Sequence, residues 1–297
     1  MVYGHPAAIV DPEVKLVKGD LGDPAIVYPL LINGKFDAVV HFAAFIQVGE
    51  SVKDPLKYYE NNIAKPLVLL RAMILAGTKR FVFSSTCATY GEPTQIPIPE
   101  TEKQDPINPY GGSKFMLEKV CKDCDRAYGL KSVFLRYFNA SGSSEDGLIG
   151  EDHDPESHLI PVILQAIKGE RPGITVFGTD YDTPDGTPPR EYTLTEDGGA
   201  PPLRALGNLR RGGEQTWFNV GTGKGLAVEE GIDAAEEVPG KKAPVPYGNR
   251  REGDPPRLIA DARKAAEVLG WVPKYQDAHK IVETAWKWFN GPRGGHY

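Results

Sequence analysis

Residues 80–86, Arg80-Phe81-Val82-Phe83-Ser84-Ser85-Thr86, form an apolar run that ends in three hydroxyl side chains. Its length and composition are typical of a buried strand. A helical pattern over 110–128, closed by Gly129, and a second strand pattern over 132–137 follow it. Two strands joined by a helix form a right-handed βαβ unit with parallel strands, and the ligands of such sheets bind at the carboxyl ends of the strands.

The alternation of strand and helix patterns extends outward from this unit in both directions. It predicts an α/β fold built on a parallel sheet. After residue 141 the chain becomes loop-rich and acidic, so we expect a second part of different construction. The further patterns are strands at 14–17, 36–42, 174–177 and 216–220 and helices at 24–31, 55–76, 161–168, 261–269 and 279–289.

Composition excludes several classes of protein. The 34 Lys and Arg residues against 40 Asp and Glu give a net charge of −6, so we expect no nucleic acid and no membrane as partner. No window resembles a membrane span, and the first residues lack the pattern of a secretory signal. Three cysteines (Cys87, Cys121 and Cys124) are too few for a disulfide framework. We expect free thiols and a cytoplasmic location.

Tyr110 and Lys114 form the strongest chemical pattern of the chain. Their i, i+4 spacing places both side chains on one face of a helix. A lysine ammonium beside a phenol favours the phenolate, which would make Tyr110 a general base at neutral pH. The same spacing also occurs in a surface tyrosine with a solvated lysine. Thr86 favours the chemical interpretation, because it ends the preceding strand and offers a hydroxyl to the same substrate oxygen.

Together these residues resemble the extended short-chain dehydrogenase/reductase superfamily, and the chain resembles the UDP-glucose 4-epimerases within it. The blocks that carry this resemblance run through nearly the whole chain: Gly19-Asp20-Leu21, His41-Phe42-Ala43-Ala44, Val48-Gly49-Glu50-Ser51-Val52, Tyr58-Tyr59-Glu60-Asn61-Asn62, Phe83-Ser84-Ser85-Thr86-Cys87-Ala88-Thr89-Tyr90-Gly91, Arg136-Tyr137-Phe138-Asn139, Gly178-Thr179-Asp180-Tyr181 and Arg250-Arg251-Glu252-Gly253-Asp254.

The resemblance implies a Rossmann-like, doubly wound parallel sheet, truncated at its N-terminus, with a smaller α+β substrate domain. Residues 1–140 would form the NAD-binding domain and 141–297 the UDP-sugar-binding domain, with a segment near 190–225 returning to the first. Relatives pair two helices per subunit, so a homodimer is expected through 55–76 and 110–128. The apolar stripe on the first of these helices consists of Tyr59, Ile63, Leu67 and Leu70.

The resemblance also implies roles for individual residues. Tyr110 would take the proton of the sugar 4-hydroxyl while hydride passes from C4 to NAD, Lys114 would tune Tyr110, and Thr86 would hold the reacting oxygen. The residues implied to bind the cofactor are Asp20, Leu21, Phe42, Ala43, Ala44, Phe45, Ile46, Asn61, Ser84, Tyr110, Lys114 and Phe138. Those implied to bind the UDP-sugar are Thr86, Asn139, His158, Leu159, Thr175, Val176, Phe177, Arg190, Arg251, Asp254 and Leu258.

Two features bear on the reaction and its substrate. Related dehydratases and decarboxylases carry acidic residues after the active-site hydroxyl, whereas here Cys87 and Ala88 follow Thr86. Neither residue can act as an extra acid or base, so hydride transfer is the only chemistry that remains. This favours an epimerase acting on UDP-glucose and UDP-galactose. Leu258 stands where the family limits the sugar pocket, and its intermediate size predicts weak turnover of N-acetyl sugars. An epimerase of N-acetylhexosamine or pentose nucleotides is the alternative.

Two other motifs have simpler explanations. Glu151-Asp152-His153-Asp154, with Glu156 and His158, is similar to a metal-binding cluster, but acidic loops are usually solvated, and we expect no metal here. Gly221-Thr222-Gly223-Lys224-Gly225 is similar to a phosphate loop without P-loop spacing, and we expect an ordinary turn.

The sequence departs from the family in two places. The glycine-rich G-x-x-G-x-x-G segment is absent, so we expect the strands at 14–17 and 36–42 to lack neighbours and the chain as written to be poorly soluble. A fragment, a mis-started gene and an inactive UDP-sugar-binding remnant all fit this. The second departure concerns the helix expected after residue 194, which contains Gly198-Gly199 and Pro201-Pro202. Interior prolines cost about 3 kcal/mol each and glycines about 1, which disfavours a helix there.

Overall fold

A computed structural model describes residues 4–156, 158–181, 186–187, 191–225, 228–250 and 257–297. In these residues the strands are β1 Val39–His41, β2 Arg80–Thr86, β3 Lys131–Tyr137, β4 Ala140–Ser141, β5 Val176–Phe177, β6 Thr193–Leu194, β7 Thr216–Val220 and β8 Tyr247–Gly248. The α-helices are α1 Pro24–Gly34, α2 Val48–Lys53, α3 Pro55–Tyr59, α4 Lys65–Ala76, α5 Pro109–Tyr128, α6 Leu159–Lys168, α7 Thr195–Arg210, α8 Val228–Glu237 and α9 Ala278–Asn290.

The main sheet is parallel, with the strand order β1-β2-β3-β7. Side chains alternate along β2, so Phe81 and Phe83 pack with α1, α4 and α5 on one face while Val82 faces the other. On that second face lie α7 and Trp271. Helices on both faces of a parallel sheet confirm the doubly wound α/β fold. A third apolar cluster joins α6, α8 and α9 in the second half of the chain.

The helices form where their apolar spacing and capping residues predict them. Asn108 caps α5, because its side chain accepts a hydrogen bond from the Gly111 amide at 2.8 Å. Gly77 and Gly129 end α4 and α5 in the left-handed conformation, with φ of 73° and 67°. The helix expected over 55–76 consists of α3 and α4, which are joined by a π-helical turn at Glu60–Ala64. No helix among the described residues is both long and apolar enough to cross a membrane.

The expected strand at 14–17 is wrong. These residues adopt no regular structure, and the side chains of Val14, Leu16 and Val17 are 53%, 44% and 53% exposed. A strand is stabilised by backbone hydrogen bonds to a neighbour, and no described strand pairs with this segment. The strand expected at 36–42 is shorter than predicted, and among the described strands it pairs with β2 alone.

The expected disruption after residue 194 is also wrong, since α7 runs through Pro201 and Pro202. Proline lacks an amide hydrogen, so the carbonyls four residues earlier, of Asp197 and Gly198, lose their helical donors. Trp271 Nε1 donates to the Asp197 carbonyl at 3.2 Å, and the Tyr137 hydroxyl donates to the Gly198 carbonyl at 3.1 Å. Side chains from elsewhere in the fold therefore replace both missing hydrogen bonds.

This arrangement predicts a measurable coupling between Trp271 and Pro201. Trp271→Phe leaves the Asp197 carbonyl without a donor and should lower the free energy of unfolding by about 1–3 kcal/mol, beyond any loss of packing. In a Pro201→Ala background the restored amide satisfies that carbonyl, so the same change should cost less. Urea unfolding of the four proteins of this cycle measures the difference, and packing losses cancel in it. Equal costs in both backgrounds would contradict the assignment.

Candidate functional site

The carboxyl ends of β2 and β3 and the first turn of α5 meet at one edge of the sheet. Their approach depends on Gly111, where a Cβ atom would lie 2.4 Å from the Ala88 carbonyl oxygen. Glycine therefore lets α5 start in contact with the short 3₁₀ turn Cys87–Tyr90 that follows β2. Gly111 of the Tyr-Gly-Gly-Ser-Lys sequence thus has a packing role that places Tyr110 beside Thr86.

Three of the predicted residues, Thr86, Tyr110 and Lys114, come together at this edge. The Thr86 and Tyr110 hydroxyls share a hydrogen bond. Lys114 Nζ lies 6.0 Å from the centre of the Tyr110 ring and donates to the carbonyl of Ser84 at 2.7 Å. Thr86 and Lys114 are only 6% and 3% exposed, so the group is largely shielded from water.

Burial controls the protonation of this group. It raises the pKa of Tyr110 to about 12, although the hydrogen bond from Thr86 acts in the opposite direction. It also lowers the pKa of Lys114 to about 7. The expectation that Lys114 lowers the pKa of Tyr110 is therefore wrong for the chain alone. A lysine that is only half protonated at pH 7 supplies too little positive charge to offset the loss of water around the phenol.

A buried polar network lies behind the site, and sequence reasoning missed it. Glu118 of α5 accepts two hydrogen bonds from Arg136 of β3, at 3.1 and 2.7 Å, and one from Ser85 at 2.6 Å. Arg136 also donates to the Tyr90 hydroxyl, which donates to Asn219 of β7. Charged residues inside otherwise apolar patterns were the available signal, because a buried charge needs a partner.

The loop after β1, which carries the predicted cofactor residues 42–46, is held by Asn62. Asn62 accepts from the Phe45 amide and donates to the Phe45 carbonyl, both at 2.9 Å, and donates to Ser113 at 3.1 Å. The predicted residue, Asn61, instead donates to Asn62. Phe42 and Ile46 remain 56% and 38% exposed, so this loop presents apolar side chains beside the site.

Asp20 and Leu21, of the predicted cofactor set, lie just before α1. Asp20 pairs with Lys65 at 2.7 Å, and this contact lowers the pKa of its carboxyl group. Leu21 packs against the cluster formed by α1 and α4. Ser84 contributes its backbone carbonyl to Lys114.

The predicted substrate residues are spread over several elements. Leu258 shares a buried cluster with Cys87 and with Phe138 of the predicted cofactor set, which brings it next to the end of β2. Asn139 donates to the Glu191 carbonyl at 2.8 Å. The remaining described residues of this set are His158, which precedes α6, Leu159, which begins it, and Thr175, Val176 and Phe177 at β5. Arg190, Arg251 and Asp254 lie outside the described residues.

A cavity of about 110 Å³ separates the loop after β1 from the acidic loop of the second half. On its far side Glu151, His153, Glu156 and His158 bring their ligand atoms within 4.8 Å of one another. Asp152 is held elsewhere, by Tyr297 and His296. The residues that line the cavity are Ala44, Ile46, Gln47, Glu50, Tyr58, His153, Pro155 and His158.

Comparison with known proteins identifies relatives over nearly the whole chain. Residues 1–284 match the family described as GDP-mannose 4,6 dehydratase. The UDP-glucose 4-epimerase of Lacticaseibacillus casei is 48% identical over 295 residues, which is 99% of this chain and 89% of that protein. The UDP-glucose 4-epimerase of Streptococcus mutans is 50% identical over 296 residues, with the same coverage of 99% and 89%.

Solved structures agree with the sequence relatives. The UDP-glucose 4-epimerase of Brucella ovis in complex with NAD superposes with a TM-score of 0.92 at 44% identity, over 95% of this chain and 86% of that one. The Bifidobacterium longum enzyme in complex with NAD⁺ and UDP gives a TM-score of 0.94 at 34% identity, over 99% and 90%.

The low pKa of Lys114 predicts how stability depends on pH. Because this pKa is about 7 in the folded chain and 10.5 ordinarily, the unfolded chain binds more protons between these values, and stability rises with pH across that range. Lys114→Met removes the buried amine. In the NAD-free protein it should therefore raise the melting temperature most at pH 6 and progressively less at pH 8 and pH 10.

Thermal melts at the three pH values measure this, with Lys119→Met, an exposed position of the same helix, as the matched control. The control should shift little at any pH. A gain for Lys114→Met that stays constant or grows from pH 6 to pH 10 would show that the amine is charged in the folded chain throughout.

Proposed function

The chain belongs to the UDP-glucose 4-epimerase family, and we propose that its own reaction is the NAD-dependent interconversion of UDP-glucose and UDP-galactose through a 4-keto sugar. Identity of 48% and 50% to epimerases over 99% of the chain supports this. The observation that carries the chemistry is the shielded group of Thr86, Tyr110 and Lys114 at the carboxyl edge of the sheet. The enzyme is accordingly an isomerase.

The residues at this edge suit NAD. Lys114 uses one of its three donors on the Ser84 carbonyl, which leaves two for the hydroxyls of a ribose. The exposed apolar side chains of Phe42 and Ile46 offer a surface for the cofactor on the neighbouring loop. When bound, NAD supplies a hydride acceptor that is regenerated within each catalytic cycle.

Tyr110 accepts the proton of the sugar 4-hydroxyl and returns it after the sugar has turned over. With a pKa of about 12 in the chain alone, it becomes an effective base only when positive charge enters the site. Lys114, with a pKa of about 7, can take up a further proton as negative charge develops on Tyr110, and it then supplies that charge. Thr86 holds the reacting oxygen through its hydroxyl.

The turn after Thr86 favours epimerisation over elimination, although the matching family model is named for a dehydratase. Ala88 donates its amide to the Thr86 hydroxyl oxygen at 3.2 Å and offers no acid or base. Cys87 is buried in the cluster of Phe138 and Leu258. Neither residue supplies the carboxyl group that removal of water from the sugar needs.

Several finer points belong to the same proposal. Residues 1–140 bind NAD, and 141–297 bind the UDP-sugar, with 190–225 returning to the sheet. Leu258, of medium size and buried near Phe138, favours UDP-glucose and UDP-galactose over N-acetyl sugars. The free thiols of Cys87, Cys121 and Cys124 suit the reducing cytoplasm.

Replacement of the proposed base tests the reaction directly. Tyr110→Phe removes the hydroxyl and should lower the turnover of UDP-galactose to UDP-glucose by a factor of roughly 10²–10⁴. Tyr128→Phe, at the exposed end of the same helix, is the matched control and should keep full activity. Proton NMR of the anomeric signals measures conversion. Accumulation of a 4-keto-6-deoxy sugar would instead identify a dehydratase.

We also propose that the chain forms a homodimer through α3, α4 and α5. Leu56, Leu67 and Met116 are 70%, 43% and 45% exposed on these helices, and large exposed apolar side chains are typical of an interaction surface. Of the expected stripe, Leu67 is available, whereas Leu70 is in the core.

Light scattering coupled to size-exclusion chromatography tests the dimer. The unmodified chain should elute with twice the chain mass, and Leu67→Asp should convert it to the monomer mass, because a buried carboxylate opposes association. Leu203→Asp, at an exposed leucine of α7, should leave the dimer intact. A monomeric unmodified chain would refute the assignment.

A further inference from the structure

Four side chains of the acidic loop converge on one point beside the cavity. Glu156 lies 3.3 Å from His153 Nδ1 and 2.7 Å from His158 Nδ1. Glu151 lies 3.9 and 3.5 Å from the same two nitrogens. Two imidazoles and two carboxylates thus face one another, and the imidazole rings are 4.8 Å apart.

Hydrogen bonds within the protein do not satisfy every polar atom of these four side chains. Glu156 accepts hydrogen bonds from both imidazoles and from the His158 amide. Glu151 turns its Oε2 toward the two imidazoles, and its other oxygen, Oε1, is buried with no hydrogen-bond partner. A buried carboxylate oxygen without a donor is costly, which makes it an acceptor for an electron-deficient ligand.

The backbone around the group is fixed by contacts that do not involve the four side chains. Trp288 Nε1 donates to the Glu151 carbonyl at 3.0 Å, and Arg171 donates to the Glu156 carbonyl at 3.0 Å. The carboxylates and imidazoles are therefore held near one another by the fold itself. His153 and His158 are 31% and 35% exposed toward the cavity, so an ion can reach them from solvent.

We propose that Glu151, His153, Glu156 and His158 bind a divalent transition-metal ion of the Zn²⁺ class. Zinc bonds of about 2.0–2.2 Å in tetrahedral geometry separate neighbouring ligand atoms by roughly 3.3–3.5 Å. The nitrogen–oxygen separations of 2.7 to 3.9 Å bracket this range. Two imidazole nitrogens select such an ion over Mg²⁺ or Ca²⁺, and the two carboxylates balance its charge.

The ion would tie the acidic loop to the first turn of α6. His158 precedes α6, and its side chain makes no capping hydrogen bond to the helix but faces Glu156 through Nδ1. His158 is also among the residues that the resemblance implies for the UDP-sugar, whereas Glu151, His153 and Glu156 belong to neither predicted set, so a bound metal ion goes beyond the epimerase reaction. The sequence alone favours a solvated loop, and it is the convergence of these side chains in the fold that points to a metal.

Calorimetric titration of the chelator-treated full-length chain with ZnCl₂ tests the proposal. One equivalent should bind, and His153→Gln and Glu151→Gln should each weaken binding at least tenfold. His279→Gln, at an exposed histidine of α9, is the matched control and should bind as the unmodified chain does. With Co²⁺ the unmodified chain should give the visible absorption bands of a tetrahedral site, and His153→Gln should lose them.

Circular dichroism establishes that the variants remain folded, and Glu151→Gln keeps the size of the side chain, so a loss of binding reports the missing ligand. Absence of binding by the unmodified chain would overturn the proposal. Binding that His153→Gln and Glu151→Gln both retain would also overturn it, as would binding that only His279→Gln removes. Either result would mean that an adventitious ion binds elsewhere. Epimerase activity is not part of the readout, and its presence or absence tests the proposed reaction separately.

Discussion

Glu118 and Arg136 meet inside the molecule with side chains that are 0% and 1% exposed, and two hydrogen bonds join them. The pair connects α5, which carries Tyr110 and Lys114, to β3. Ser85 extends the connection to β2, directly before Thr86. Loss of one partner would leave a buried charge unpaired, at a cost of about 3–5 kcal/mol. The register between the helix and the strand end therefore depends on this pair.

The close packing of α5 against β2 orders the site, and it also makes the protonation of Tyr110 and Lys114 depend on bound ligands. The α5 helix approaches β2 so closely that Lys114 is buried and Tyr110 half-buried, and the loss of water disfavours the phenolate and the ammonium alike. The two side chains are thus neutral or partly neutral in the chain alone. Ligands that bring charge into the site change both protonation states together, which links the chemistry to the presence of cofactor and substrate.

Sequence patterns predicted the fold well where local signals and tertiary packing agree. The β2–α5–β3 unit follows from apolar runs, an asparagine cap and a glycine stop, all of which are local. The apolar pattern at 14–17 does not form a strand, because a strand needs a partner and no described strand pairs with this segment. The proximity of Thr86, Tyr110 and Lys114 was predicted from helical spacing and the strand end, but the contacts of Asn62 and Glu118 were not, since their partners lie 17 to 51 residues away along the chain.

The prolines of α7 show how a distant donor changes what a helix tolerates. Their orphaned carbonyls are satisfied by Tyr137 and Trp271, which lie 61 and 74 residues away in the sequence. This dependence constrains the order in which these residues could have been acquired during evolution. A lineage that acquired the two prolines before the two donors would have passed through a weakened protein, whereas the reverse order has no such cost. Once the prolines are in place, Tyr137 and Trp271 can no longer change freely.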